Sequence, residues 1–306
     1  GIDKICIFAP KIYTLNNLLF HIVYLASKLP LGVLYIISDI IFFVNYYIIG
    51  YRKKIVYENL KNSFPDKSEK ELKQIQKKFF RNFSDYIVET VKAMTISEEE
   101  LGKRVKHINQ ELFHQAKAER KNVIILAGHV FDWEWINAFA KIIPQENCHP
   151  VYRKVNNDFW EEKVKLIRNR FGNKALNSRE IIRHILRTPV DGNSAYMFVA
   201  DQTPHFSEVY YGLKFLNQRT PVFIGYDKLS QRLDLAFIYC EMKKVKRGYY
   251  EVSYHRIYPD GEQFKEYEVV RKFHKMLEET INERPDNWLW SHRRWKYQND
   301  IKKYEE

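Results

Sequence analysis

At 306 residues and a formal charge of +12, the chain is long enough for one large α/β domain or two small ones, with a core that needs no staples. Its three cysteines, Cys6, Cys148 and Cys240, are widely spaced; they exclude a disulfide framework and a C-x-x-C metal pattern, and suit a reducing compartment. The charge calls for a polyanionic neighbour: nucleic acid, anionic lipid or a phosphorylated substrate. Joined to 15% aromatic residues, it is the composition of a membrane interface, though a base-stacking surface would use the same side chains.

The amino-terminal region favours the membrane, and a nucleic-acid binder would leave it unexplained. Leu15 to Ala26 is largely apolar; after Lys28-Leu29-Pro30, Leu31 to Ile49 is apolar again apart from Ser38, Asp39, Asn45 and the tyrosines. Arg52, Lys53 and Lys54 follow at once. Asp39, near the middle of the second stretch, would cost roughly 2.5–3.5 kcal/mol in a spanning helix. The expectation is a helical anchor dipping into or across a bilayer, with the basic cluster on the cytoplasmic side. The competing reading is a pair of buried core helices. No small-residue cleavage site follows, which argues against a cleaved signal peptide. Residues 1–54 are therefore read as a hydrophobic membrane-associated region and 55–306 as the main domain.

Beyond Phe64-Pro65, Ser68 and Glu71 form a capping-box pattern ahead of a long amphipathic helix running to about Met94. Glu98 to Lys121 reads as helical with polar turns. From Val123 the texture changes to short apolar strands alternating with helices. Strands are expected over Val123–Ala127, Ala195–Ala200, Pro221–Tyr226, Leu233–Cys240 and Tyr249–Ile257. Helices are expected over Trp133–Ile143, Phe159–Phe171, Arg179–Arg187 and Tyr267–Glu283. The fold class is thus α/β, a mixed sheet core flanked by helices, with working residues at strand ends.

The stretch ILAGHVFDWEW carries the clearest chemical signal. A buried strand breaks at Gly128, presents His129, and leads into an aromatic helical pattern with Asp132 and Glu134. A histidine released at the end of a core strand, with a carboxylate nearby, suits general-base catalysis. Positions five apart do not share a helix face, so His129 and Glu134 should not both sit inside one helix; they can meet if His129 lies in the loop and Glu134 in the first helical turn. There is no G-x-S-x-G elbow, P-loop, G-x-G-x-x-G run or zinc signature. Three further stretches stand out: VYRKVNN with Arg153, ADQTP with Asp201-Gln202 at a second strand terminus, and WLWSHRRWK with His292, Arg293 and Arg294 among tryptophans. Taken singly, each has a plain structural reading as a helix-start arginine, a turn cap or a docked terminal segment.

Together, in order and spacing, these stretches and RKKIVYENLKNSFPDKS resemble the late acyltransferases of lipid A biosynthesis, the lauroyl/myristoyl transferase type. These enzymes belong to the wider lysophospholipid acyltransferase superfamily. The similarity runs from about Leu29 to Trp295. It implies a membrane-associated O-acyltransferase at the cytoplasmic face of a bacterial inner membrane. The acyl group would pass from acyl carrier protein or acyl-CoA to a hydroxyl of a lipid A precursor, with no metal or redox cofactor. His129 would take the hydroxyl proton. Glu134 is the motif's partner acid; alternatively Asp201 holds His129 and Glu134 pairs with Arg153. Arg153, Arg293 and Arg294, with Gln202 and His292, would bind a phosphorylated lipid acceptor or the donor, and the basic surface would attract an acidic carrier protein and anionic lipid. Thr203-Pro204-His205 departs from the charged, glycine-containing run of the enterobacterial enzymes. A lysophospholipid, aminolipid or other glycolipid therefore stays open as acceptor. A non-catalytic basic membrane adaptor is the alternative of another class.

Overall fold

The computed structural model describes residues 3–305. Helices α1 (Asp3–Ser27) and α2 (Leu31–Phe43) open it. α2 continues as π-helical turns over Val44–Ile49 until Gly50, at φ 68°, closes it with a left-handed cap. α3 (Lys53–Ser63) and α4 (Glu69–Lys92) follow. The expected capping box is formed: Glu71 N donates to Ser68 Oγ at 3.3 Å, and Ser68 N donates to the Glu71 carboxylate at 2.8 Å.

Leu31–Ile49 is long and apolar enough to cross a bilayer by length and composition. It nevertheless packs along α4. Leu31, Leu34, Ser38 and Phe42, spaced for one helix face, are buried, while Ile36, Ile40 and Phe43 are exposed. Asp39 lies on the protein side, paired with Arg81 of α4 at 3.1 Å and with Arg247 at 2.8 Å. In the described part of α1, Leu15, Leu18, Ile22 and Leu25 form a second exposed apolar stripe.

The span 98–121 is not wholly helical. It divides into α5 (Glu98–Arg104), β1 (Val105–Ile108) and α6 (Glu111–Ala118). The core then builds through β2 (Val123–Ala127), β3 (Asn147–Tyr152), α7 (Asp158–Asn169), β4 (Leu176–Asn177), α8 (Ile181–Arg187) and β5 (Ser194–Val199). β6 (Tyr211–Phe215) and β7 (Gln218–Pro221) precede α9 (Gly225–Ser230), β8 (Ala236–Lys246), β9 (Tyr249–Ile257), α10 (Glu268–Glu283) and β10 (Lys303–Glu305). The main sheet runs β1-β9-β8-β2-β5-β3-β4, and a small one runs β10-β6-β7. Every pairing in the main sheet is parallel except β8 with β9. β2 is buried along its whole length, which explains its continuous apolar run.

Two expected elements come out differently. Pro221–Tyr226 is not a strand: β7 ends at Pro221 and α9 starts at Gly225. The helix is needed to present buried Asp227, whose carboxylate accepts from Tyr267 N (2.8 Å) and Val270 N (3.3 Å) at the start of α10. Trp133–Lys141 winds as a 3₁₀ helix rather than an α-helix, with Asp132 capping Glu134 N.

Candidate active site

β2 and β5 are adjacent parallel strands in the register Ala127↔Val199, so their carboxyl ends deliver His129 and Asp201 side by side. Ala200 N donates to Ala127 O at 2.9 Å and carries the pairing past the strand ends. Gly128 leaves room for Leu277 of α10, whose terminal methyl would lie 2.5 Å from a Cβ there and would have to shift. His129 Nδ1 bonds Asp201 Oδ1 at 2.5 Å, and its backbone N–H donates to Asp201 Oδ2 at 3.0 Å. The Trp288 indole donates to the same Oδ2 at 2.5 Å. Burial alone would raise the Asp201 carboxyl, but the His129 charge and these donors outweigh it and hold the group well below the usual carboxylate range. In its neutral form the imidazole keeps its proton on Nδ1, where the ionised Asp201 accepts it. Nε2 is then left as the basic atom, 3.0 Å from the Gln202 amide nitrogen, which donates to it.

The loop after His129 is fastened to the segment after α10. Leu289 N donates to His129 O, Phe131 N donates to Asn287 O, and Val130 bridges Trp288 in antiparallel fashion. Phe131 takes a left-handed φ of 49° to make this turn. Trp133 sets its ring edge-on to His129 with centroids 4.7 Å apart, and Tyr86 of α4 stacks on Trp133 at 4.1 Å. His129 opens into a cavity of about 910 Å³ lined by residues of β3 and β5 and the loops that follow them. Arg153, Lys154, Arg168 and Arg179 are among its walls, against Glu134 and Glu208, and Phe198 and Phe223 contribute apolar surface. A basic, partly apolar cavity holding a hydrogen-bonded base suits transfer chemistry on an anionic amphiphile.

The sequence model of the family described as "Bacterial lipid A biosynthesis acyltransferase" matches residues 7–297. The chain belongs to this family. No curated protein matches it.

The lipid A acyltransferase cavity gathers His129, Glu134, Arg153 and Gln202. Of the two arrangements open for His129, the geometry has Asp201 at Nδ1. Glu134 bonds elsewhere: its carboxylate accepts from Arg168 at 3.2 Å and from Asn137 at 3.0 Å, not from Arg153. Arg168 was not expected at the site. It lies 34 residues from Glu134 with no local spacing to reveal it, and its guanidinium also stands 5.2 Å over the Tyr152 ring. Arg153 is exposed at the wall.

Among the tail residues, His292 Nε2 accepts from Thr203 N at 3.3 Å, and burial keeps its pKa down at about 4, so it serves as a neutral acceptor. Arg293 is exposed and its carbonyl is a partner of Thr203 Oγ1 at 3.2 Å. Arg294 cannot meet a headgroup in this structure. It is 1% exposed, donates to Pro221 O at 2.6 Å, and lies outside the cavity wall. Burial lowers even its pKa to about 10, opposed by the Asp201 and Tyr226 charges. Its place is beneath the site, as a buried cation behind Asp201.

Proposed function

We propose that this acyltransferase moves a fatty acyl chain from acyl carrier protein or acyl-CoA onto a hydroxyl of a phosphorylated lipid A precursor, with His129 as general base. The observation that carries the reading is the His129–Asp201 pair, which holds the imidazole through Nδ1 at the wall of the basic cavity. The acceptor hydroxyl takes the position of the Gln202 amide at Nε2. Its proton passes to Nε2 as its oxygen forms a bond to the thioester carbonyl carbon. The C–S bond of the tetrahedral intermediate then breaks, and the leaving sulfur takes the proton back from the imidazolium. Asp201 stabilises that imidazolium without itself being protonated. Glu134 holds Arg168 at the wall, and Arg153 and Arg168 receive phosphate. The exposed apolar stripes of α1 and α2 dock the enzyme on the cytoplasmic face of the inner membrane, where both donors are available.

The test is mass spectrometry of total lipid from cells with and without the protein. The wild type should add one acyl chain to a lipid A precursor. His129→Ala should lower that transfer by about 10²- to 10⁴-fold. Asp201→Asn should cost a comparable factor, because an amide no longer dictates which nitrogen holds the proton. Near-wild-type turnover in a folded His129→Ala protein would refute the mechanism.

A further inference from the structure

Helix α2 and helix α4 run antiparallel, so the far end of the apolar stripe meets the amino-terminal half of α4. Ser38 bonds Asp85 and Asp39 pairs with Arg81, while Tyr47 lies beside Lys77, whose ammonium stands 5.7 Å from its ring centroid. Arg81 covers the Phe42 ring at 5.4 Å and Lys53 covers Tyr46 at 3.9 Å. Beside these aromatics lies an open basin of about 690 Å³, lined by Tyr46, Lys70, Lys73, Lys77 and Glu69 among others. Three lysines face one glutamate there, and Glu69 is paired with Lys73 at 2.6 Å. On the helix end that supplies Tyr46 to the basin, Phe43, Tyr47, Ile48 and Ile49 are 57%, 54%, 68% and 67% exposed.

We infer that this basin is a headgroup site for an anionic phospholipid of the membrane, separate from the catalytic cavity. The inference rests on the membrane-facing reading of α2 and goes beyond it in naming the lipid and the residues. Apolar side chains immersed at the acyl boundary place adjacent lysines at the depth of the lipid phosphates, and lysine stems extend along apolar surface to reach it. Tyrosine is suited to the same level. The nine steps of α4 from Lys77 to Tyr86, which stacks on Trp133, advance about 13 Å along the helix axis. A phosphate held in the basin would therefore sit that far along the helix axis from the aromatic stack beside His129.

The experiment measures flotation of the full chain with vesicles of phosphatidylcholine alone and of phosphatidylcholine with phosphatidylglycerol. Lys70→Gln/Lys73→Gln/Lys77→Gln is compared with Lys106→Gln/Lys228→Gln/Lys265→Gln, which removes the same charge elsewhere. The wild type should prefer the anionic vesicles in a salt-sensitive way. Each basin lysine should account for about a fivefold effect, and the basin triple should lose on the order of a hundredfold while its melting temperature holds. The control triple should lose far less. Equal losses in the two triples, or none in the first, would overturn the headgroup site while leaving membrane docking standing. Failure of the wild type to bind any vesicle would instead overturn the docking reading beneath it. Retained vesicle binding with reduced turnover on acyl carrier protein in detergent would make the basin a donor surface and defeat the inference.

Discussion

The arginines separate by burial into two kinds. Arg153 is exposed at the cavity wall, whereas Arg294 is sealed beneath the site with Nε and one terminal nitrogen lacking a partner. Lysine keeps the charge but loses the planar fork, so the two substitutions should register in different measurements. Arg153→Lys should raise the KM for the phosphorylated acceptor about tenfold, the worth of one charge-assisted hydrogen bond, and leave the melting temperature in place. Arg294→Lys should leave the kinetics of the folded enzyme close to wild type but cost about 1–3 kcal/mol of stability, since Lys cannot reproduce the bond to Pro221 O in that space. Steady-state kinetics and thermal melting on the same two proteins check both. A loss of stability alone at Arg153 would remove it from substrate binding. His129 was legible at this scale because a strand break exposes it, and Asp201 because a second strand ends in a carboxylate. Which acid held the imidazole was not legible, since that depends on β5 lying next to β2, a tertiary fact.

Among the elements, those with a strong local signature were readable and those made by partners were not. α4 announces its start through Ser68 and Glu71, and β9 runs over the expected Tyr249–Ile257. β3 hides because Pro150 interrupts it and Asn147 and His149 are polar; proline argues against a strand, yet neighbours on both sides hold it in the sheet. α9 hides in an apolar run that resembles a strand until Asp227 is seen capping α10.

α2 settles how its apolar face should be tested. Deleting residues 1–50 would also strip α4 of its cover, since α2 buries Leu34 and Phe42 against the protein. Ile36→Ser/Ile40→Ser/Phe43→Ser alters only the outward stripe, exposed at 63%, 59% and 57%. At about 25 cal/mol per Å² of apolar surface withdrawn from water, three such side chains amount to several kcal/mol of membrane affinity. The variant should stay folded by circular dichroism and lose sedimentation with bilayers. Undiminished sedimentation at high salt would place the membrane contact elsewhere.

Over the whole molecule, buried histidines tie stability to acidity. His274 is enclosed, with Nδ1 donating to Val270 O at 2.9 Å and Nε2 unpartnered. Burial, helped by the Arg294 charge, brings its pKa down to about 3. An unfolded chain takes a proton at about pH 6.5, which the folded protein refuses until far lower pH. Between those limits the unfolded state binds more protons, so stability falls as pH falls, at up to about 1.4 kcal/mol per unit for this group. The contribution is fully present above pH ~6.5. His274→Gln removes the linkage. The stability advantage of wild type over His274→Gln should therefore shrink by about 2–3 kcal/mol between pH 6.5 and 4.5, read from urea unfolding of both proteins. A constant difference would show that His274 is protonated in the native state.

The Val130–Trp288 bridge and the indole bond to Asp201 also bear on the order of events during translation. Chains fold from the amino end as they emerge. α1 and α2 are thus made early, whereas the third donor to Asp201 is not translated until the ribosome has passed Trp288. A nascent chain that has completed β2 and β5 already holds His129 and Asp201 but lacks the clamp that steadies them. On the proposed docking reading, the apolar stripes of α1 and α2 are therefore made well before the site is complete. With His129 as the proposed base, activity is then expected only after the segment beyond α10 has joined Trp288 to Asp201.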